Sequence, residues 1–176
     1  LPVPEWHRHE GLDRGQADPL FCGLLLELLK AGPVLVFVPT VDRVEHWVKE
    51  IREVVPDRRV TGSHSQDPKR RSKVEKFCRG GYDVFVSTTI LERGVTVPGV
   101  QVMVLQADHP LFDERVLVQM AGRVGRTAEC PTGKVLFLAA ERTPVMEEAV
   151  QWIEAQNRLA QAQGLIKGGV LKSLNR

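Results

Sequence analysis

Aromatic residues are scarce in this chain, at 6% of 176 residues, with a single tyrosine. A protein that binds single strands by stacking bases needs several exposed rings, so the composition argues against a stacking platform. No apolar run reaches the roughly 18 residues of a membrane-spanning helix, and no signal peptide opens the chain. The sequence therefore predicts a globular domain that is not inserted in a membrane.

Cysteine and excess charge are also in short supply. Cys22, Cys78 and Cys130 lie far apart and form no Cys-x-x-Cys pair, which argues against a zinc ribbon or a disulfide framework and favours a reducing cytosol. Lys and Arg number 24 and Asp and Glu 22, so the net charge is only +2. That balance neither requires nor excludes nucleic acid, and any basic surface must be local.

Two common nucleotide-binding loops are missing. No G-x-x-x-x-G-K-[ST] occurs, and Gly133-Lys134 is followed by valine. No G-x-G-x-x-G follows the first strand-like run, which disfavours an ordinary Rossmann enzyme. The chain begins with Leu1 rather than Met, so we expect a piece of a longer protein that carries the missing loop elsewhere.

What the sequence has is a regular alternation of strand-like and helix-like segments. Short Val-rich runs predict buried strands, and amphipathic stretches between them predict helices. The expected strands are 33–38, 58–62, 82–88, 100–106 and 134–139, and the expected helices are 18–32, 40–55, 67–81, 113–126 and 143–164. This order predicts an α/β domain in which a parallel sheet is flanked by helices on both faces.

The expected domain boundaries follow from the same pattern. Residues 1–16 carry two prolines and no hydrophobic period, which is typical of a linker or an entry arm. Residues 17–165 form the domain, and 166–176 form a weakly patterned tail. Short polar side chains before the helices are the expected N-caps, namely Asp18, Thr40, Asp67, Asp113 and Thr143.

Polar residues follow three expected strands, at the edge of a parallel sheet where functional loops gather. Hydroxyls and amides there can hold a sugar-phosphate backbone without reading bases. The candidate nucleic-acid contacts are Thr40, His64, Ser65, Thr88 and Thr89. Each hydroxyl can equally be a helix cap.

A basic helix follows the second strand. Its cations outnumber its one internal acid, Glu75, and they are Lys69, Arg70, Arg71, Lys73, Lys76 and Arg79. Either this helix faces nucleic acid, in which case binding weakens steeply with salt, or it is a solvated basic surface.

The stretch QMAGRVGR, residues 119–126, places Arg123 and Arg126 three apart, each after a glycine. Two adjacent guanidinium groups repel each other, and a phosphate group offsets that cost best. Gly122 and Gly125 leave room for a ligand or a backbone to approach. The alternative is a pair of surface arginines on a flexible turn.

Together with STTILERGVTVP at 87–98, this stretch resembles motifs V and VI in the second RecA-like domain of superfamily 2 helicases. The runs 34–40 and 61–71 are similar to their motif IV strand and the nucleic-acid loop after it, so the resemblance covers about residues 17–165. It implies a RecA-like domain that supplies arginines to ATP held by another domain.

The resemblance also implies a role for each matching residue. Arg126 would be the arginine finger on the γ-phosphate, with Arg123 beside it and Gln119 orienting the pair or the attacking water. The implied nucleotide-binding residues are Gly94, Thr96, Gly122 and Gly125. Thr96 offers only a hydroxyl where many relatives hold the ribose with an Asp. Arg93 would either touch nucleic-acid phosphate or join motif V to motif VI.

A narrower resemblance, through TTILERGVT, ADH and QMAGRVGR, is to the late-competence DNA-uptake ATPase family, ComFA, with the PriA helicase family as the nearest rival. It implies ATP and Mg²⁺ held mainly by an absent first domain, no cofactor in this chain alone, and no activity of the isolated fragment.

The implied partners are single-stranded DNA, the N-terminal RecA-like domain of the same chain and other DNA-uptake proteins. The implied location is the bacterial cytoplasm, with attachment to the inner face of the membrane left open. A non-catalytic module that only binds nucleic acid or a partner protein remains the alternative function.

Overall fold

The computed structural model describes residues 1–12, 14–88, 97–124 and 133–174, and for 165–174 only the backbone. The strands are β1 (Glu5–Arg8), β2 (Val34–Phe37), β3 (Val60–Ser63), β4 (Val84–Ser87), β5 (Gln101–Leu105) and β6 (Val135–Ala139). The helices are α1 (Pro19–Ala31), α2 (Val41–Val54), α3 (Arg70–Cys78), α4 (Glu114–Ala121) and α5 (Pro144–Leu174).

The described strands form one parallel sheet in the order β1-β6-β5-β2-β4-β3. Alternate residues of each strand face opposite sides, and both sides are apolar. Along β2, Val34 and Val36 pack with α1 and α2, whereas Leu35 and Phe37 pack with α3, α4 and α5. The prediction of a parallel sheet covered on both faces is confirmed.

Three of the expected N-caps are confirmed. Asp18 accepts a hydrogen bond from the Phe21 N–H, and Asp113 accepts one from Val116. Thr143 accepts one from the Met146 N–H. Each side chain satisfies one of the N–H groups that the first turn of a helix leaves without a partner.

The other two caps are wrong. Thr40 occupies the N-cap position of α2, but its side chain makes no capping hydrogen bond. Helix α3 begins at Arg70 with Lys69 as its N-cap, so Asp67 lies before the N-cap position, and its carboxylate accepts from the Lys69 N–H as well as from Ser63 and Lys73.

The segment 1–16, expected to be a linker, contains β1, which pairs with β6 at the edge of the sheet. His9 is 2% exposed and its Nε2 lies 2.7 Å from Asp18 Oδ1, while Leu12 is buried in the core. No strand was expected here, since EWHR has no apolar run.

The expected tail begins inside α5, which continues to Leu174. Gly164, the expected stop, does not take the left-handed conformation with which glycine ends a helix. No helix in the described part of the chain is long and apolar enough to cross a membrane.

Candidate functional site

The carboxyl ends of β2, β4 and β3 lie side by side at one edge of the sheet. Ser87 of β4 is paired with Phe37 on one side and with Ser63 on the other. His64 and Thr88 therefore leave the sheet together, about 5 Å apart at the backbone. Thr40 follows three residues after Phe37, so the structure gathers the predicted strand-end residues that it describes at a single edge.

One ring nitrogen of His64 is occupied by a hydrogen bond from the backbone of its own loop. Its Nδ1 accepts a hydrogen bond from the Gln66 N–H at 3.2 Å. A ring with one proton must therefore carry it on Nε2, which leaves Nε2–H as a donor. The adjacent Ser65 is exposed and Thr88 is half-buried.

Thr40 has a partner that the sequence analysis missed. Its side chain is hydrogen-bonded to the carboxylate of Asp42, and this bond is the largest cause of the lowered pKa of Asp42. The hydroxyl has one hydrogen to donate. The hydrogen bond between Thr40 and Asp42 must therefore break before the Thr40 hydroxyl can donate to a phosphate.

A polar network built on Asp67 shapes the loop that follows β3. The Asp67 carboxylate accepts hydrogen bonds from Ser63 Oγ at 2.8 Å, from Lys73 Nζ at 2.7 Å and from the Lys69 N–H at 2.9 Å. The Lys73 ammonium is the main reason that the pKa of Asp67 falls to about 2. The network anchors the turn between His64 and the start of α3.

Beside this loop, a pocket of about 450 Å³ lies between α2 and the outer edge of β3. Its polar lining includes Lys49, Arg52, His64, Gln66, Asp67 and Lys73. The Arg52 guanidinium donates to the Val60 carbonyl at 2.9 Å, and the Lys73 ammonium donates to the Gly62 carbonyl, also at 2.9 Å. Two of the cations therefore saturate the carbonyls of an edge strand, which discourages pairing with another chain.

Other cations of α3 have partners as well. Arg71 lies 3.4 Å from the exposed Glu75 carboxylate, and the Lys76 ammonium lies 4.7 Å from the centre of the Tyr82 ring. Lys69 is exposed at the start of α3, close to the loop after β3, and Arg79 is exposed at the opposite end of the helix. Only the Lys69 end adjoins the edge that carries His64.

The described part of the QMAGRVGR stretch lies at the end of α4. Gln119 is exposed in its last turn, and Gly122 is the C-cap residue with φ −67°. Arg123 is half-buried, and its N–H donates to the Met120 carbonyl at 3.2 Å. The segment 113–126, predicted to be helical at least in its first part, is helical to Ala121 and continues as a tighter turn through Val124.

The two predicted sites are separated along the strands. The Val124 side chain packs at Gly133 and near Val100, just before β6 and β5 begin. Arg123 therefore lies toward the amino ends of these strands, whereas His64 and Thr88 lie at carboxyl ends. The predicted site residues that fall outside the described residues are Thr89, Arg93, Gly94, Thr96, Gly125 and Arg126.

A parallel sheet of this strand order with helices on both faces is the fold of a RecA-like domain. The chain matches the helicase conserved C-terminal domain over residues 19–128, and it belongs to that family. The predicted resemblance to the second domain of superfamily 2 helicases is confirmed.

Among known proteins, the chain is similar to the competence protein ComFA of Bacillus subtilis, at 41% identity over 85% of this chain and 32% of that protein. It is 32% identical to the ComFA of Streptococcus pneumoniae over 91% of this chain and 38% of that protein. The chain thus spans about a third of the length of these relatives. A solved structure of the DUF1998 helicase MrfA bound to DNA superposes with a TM-score of 0.58, at 26% identity over 84% of this chain and 20% of that one.

Proposed function

We propose that this chain is the second motor domain of an ATP-dependent DNA translocase that acts in DNA uptake during competence. In this proposal Arg126 and Arg123 donate positive charge to the triphosphate of ATP held by a first RecA-like domain, and Gln119 orients them or the attacking water. Positive charge placed on a transferring phosphoryl group is worth roughly 10³–10⁵ in rate.

The observation that carries the proposal is Gly122. Its φ of −67° suits any residue, and a Cβ there would approach described atoms no closer than 3.4 Å, at the Val118 and Gln119 carbonyl oxygens. Among the described residues, then, neither backbone conformation nor packing requires a glycine next to Arg123. A ligand that approaches this turn from outside would explain why the position has no side chain.

The residues present fit part of an ATP site. Gly122 leaves space and Arg123 brings a cation, while Gly94, Thr96 and Gly125 complete the nucleotide contacts in the proposal. The described residues include no group of three or more His, Cys, Asp or Glu that could hold a metal ion. In the proposal, as the resemblance to superfamily 2 helicases implies, Mg²⁺ and the phosphate loop come from the first domain, and this chain alone holds no cofactor.

The proposed path of single-stranded DNA is the carboxyl edge of β3, β4 and β2. His64 Nε2 is a donor there, and the side chains after the strand ends add short hydroxyls. The proposed contacts are Thr40, His64, Ser65, Thr88, Thr89 and Arg93. Such contacts grip phosphates and sugars, so binding would be independent of sequence.

The proposed role in competence rests on the similarity to ComFA. The proposed partners and location rest on the same similarity. The partners would be single-stranded DNA, the first motor domain and other DNA-uptake proteins, in the bacterial cytoplasm or at the inner face of the membrane. A non-catalytic module that only binds nucleic acid or a partner protein is the second candidate function. The exposed Lys69 beside the proposed DNA edge would serve binding in this candidate as well as in the first.

The test compares ATP hydrolysis by this chain alone with hydrolysis by the longer protein that joins it to a first domain, with and without single-stranded DNA. The proposal predicts no turnover by the chain alone and DNA-stimulated turnover by the longer protein. Turnover by the pure chain would overturn the division of the site between two domains. DNA binding without turnover in the longer protein would favour the binding module.

A further inference from the structure

Gly133 lies two residues before β6, and its backbone does not require glycine, because its φ lies outside the left-handed region. Its surroundings do. A Cβ built on Gly133 would overlap Val124 Cγ1, and it would lie 3.4 Å from the Val100 carbonyl oxygen. Val124 therefore occupies the space that a side chain at position 133 would need.

The backbone at Gly133 has little freedom to move away. The neighbouring Lys134 N–H donates to Gln101 Oε1 at 2.7 Å, and the Lys134 carbonyl accepts from the Val102 N–H at 3.0 Å. Gln101 is 1% exposed, and its Nε2 donates to the Gly99 carbonyl at 3.0 Å. A side chain at position 133 would therefore push Val124 rather than shift the start of β6.

Val124 is the first of the two residues that separate the arginines in the chain. It is fully buried in the core between the sheet and α4, and its N–H donates to the Ala121 carbonyl at 3.3 Å. Arg123 precedes it directly and Arg126 follows two residues later. Displacing Val124 therefore displaces the backbone that carries Arg123.

We propose that the Gly133–Val124 contact is a positioning contact for Arg123, and that Gly133 and Val124 are positioning residues for ATP hydrolysis. This inference rests on the proposed function. A misplacement of about 1 Å at a reacting centre can cost on the order of 10²-fold in rate. Disrupting the contact should therefore lower kcat. The binding of ATP and of DNA depends on other residues and should change little.

The experiment uses the longer protein that contains both motor domains and measures kcat, KM for ATP and the Kd for an oligo-dT single strand. Gly133→Ala should lower kcat by on the order of 10²-fold, with KM and Kd changed less than about threefold. Val124→Ala removes the methyl group that Gly133→Ala would strike. The double variant Gly133→Ala/Val124→Ala should therefore recover at least about tenfold in kcat over Gly133→Ala.

Gly23→Ala is the matched control, since a Cβ at Gly23 meets nothing within 4 Å, and its kcat should be that of the parent. If Gly133→Ala does not fold, Val124→Ala carries the test alone, with a lower kcat and an unchanged KM expected. An unchanged kcat in Gly133→Ala or in Val124→Ala, or a double variant no better than Gly133→Ala, would overturn the proposal.

A parallel Arg126→Ala variant separates the two levels of inference. If Arg126→Ala abolishes turnover while Gly133→Ala retains it, only the positioning contact is wrong. If Arg126→Ala retains turnover, the proposed function itself is wrong, and the positioning contact falls with it.

Discussion

Ser63 of β3 and Ser87 of β4 are paired in register at the last position of their strands, and both are buried. Because the strands are parallel, His64 and Thr88 emerge next to each other at the same edge. Helix α3 starts six residues after His64, so its first exposed cation, Lys69, lies beside this edge. Arg79, at the far end of α3, adjoins the amino ends of the strands.

This geometry predicts that the two ends of α3 differ in DNA binding. Lys69→Ala should weaken oligo-dT binding and reduce the slope of log K against log salt by about 0.7, as expected for one lost phosphate contact on a single strand. Arg79→Ala removes the same charge from the other end and should leave the slope unchanged. Titrations at several salt concentrations measure both, and equal slopes for the two variants would contradict the proposed DNA edge.

The Asp67–Lys73 pair predicts a contribution to acid stability. The ordinary pKa of 3.8 is lowered to about 2, so the carboxylate stabilises the fold above about pH 4, and this contribution is lost as the pH falls from about 4 to about 2. The shift corresponds to about 2 kcal/mol. Chemical denaturation as a function of pH should show this loss in the parent chain and little of it in Lys73→Gln.

Arg71→Gln is the control for the acid-stability experiment. Arg71 and Glu75 form an exposed pair one helical turn apart, and such pairs contribute about 0.3–0.5 kcal/mol. Its pH profile should match that of the parent. A parent chain whose stability does not change between pH 4 and pH 2 would refute the assignment.

Gly62 predicts a steric requirement in the fold. A Cβ at this position would lie 2.6 Å from Val48 Cγ2 and 2.7 Å from Val44 Cγ1, so α2 rests directly on β3 at a residue without a side chain. Gly62→Ala should lower the free energy of unfolding by about 1–3 kcal/mol, the usual cost of overpacking. Gly23→Ala, on an open face of α1, should leave stability unchanged or raise it by up to about 1 kcal/mol.

Gly122→Ala should give the opposite result from Gly62→Ala. Because its φ is −67° and the described neighbours leave room, stability should stay the same or rise by up to about 1 kcal/mol. In the longer protein, ATP turnover should nevertheless fall, since the added methyl group lies where the nucleotide is proposed to approach. A stable variant with full turnover would show that Gly122 does not face the nucleotide.

The strands and helices of the core could be predicted because their signals are local. The run Val34–Phe37 is apolar at every position, as a strand covered on both faces must be. Asp18 and Asp113 cap helices through N–H groups three residues on, which a sequence pattern can contain.

The features that the sequence analysis missed depend on residues distant in the chain or on competition between partners. Strand β1 is defined by its pairing with β6, about 130 residues later. Asp67 is not the N-cap because α3 begins only at Arg70, and its carboxylate joins Ser63 and Lys73 as well as the Lys69 N–H. The arginine motif was found from its resemblance to helicases, whereas the contact between Val124 and Gly133 depends on packing that no local pattern contains.

Single-turnover ATP hydrolysis by the longer protein, measured with Arg126→Ala and with Arg126→Lys, shows whether Arg126 acts on the nucleotide. We expect Arg126→Ala to bind ATP and oligo-dT like the parent and to lose at least about 10³-fold in the rate of hydrolysis. Arg126→Lys should recover little, because an ammonium lacks the fork geometry of guanidinium. Hydrolysis within about tenfold of the parent by Arg126→Ala would contradict this role of Arg126.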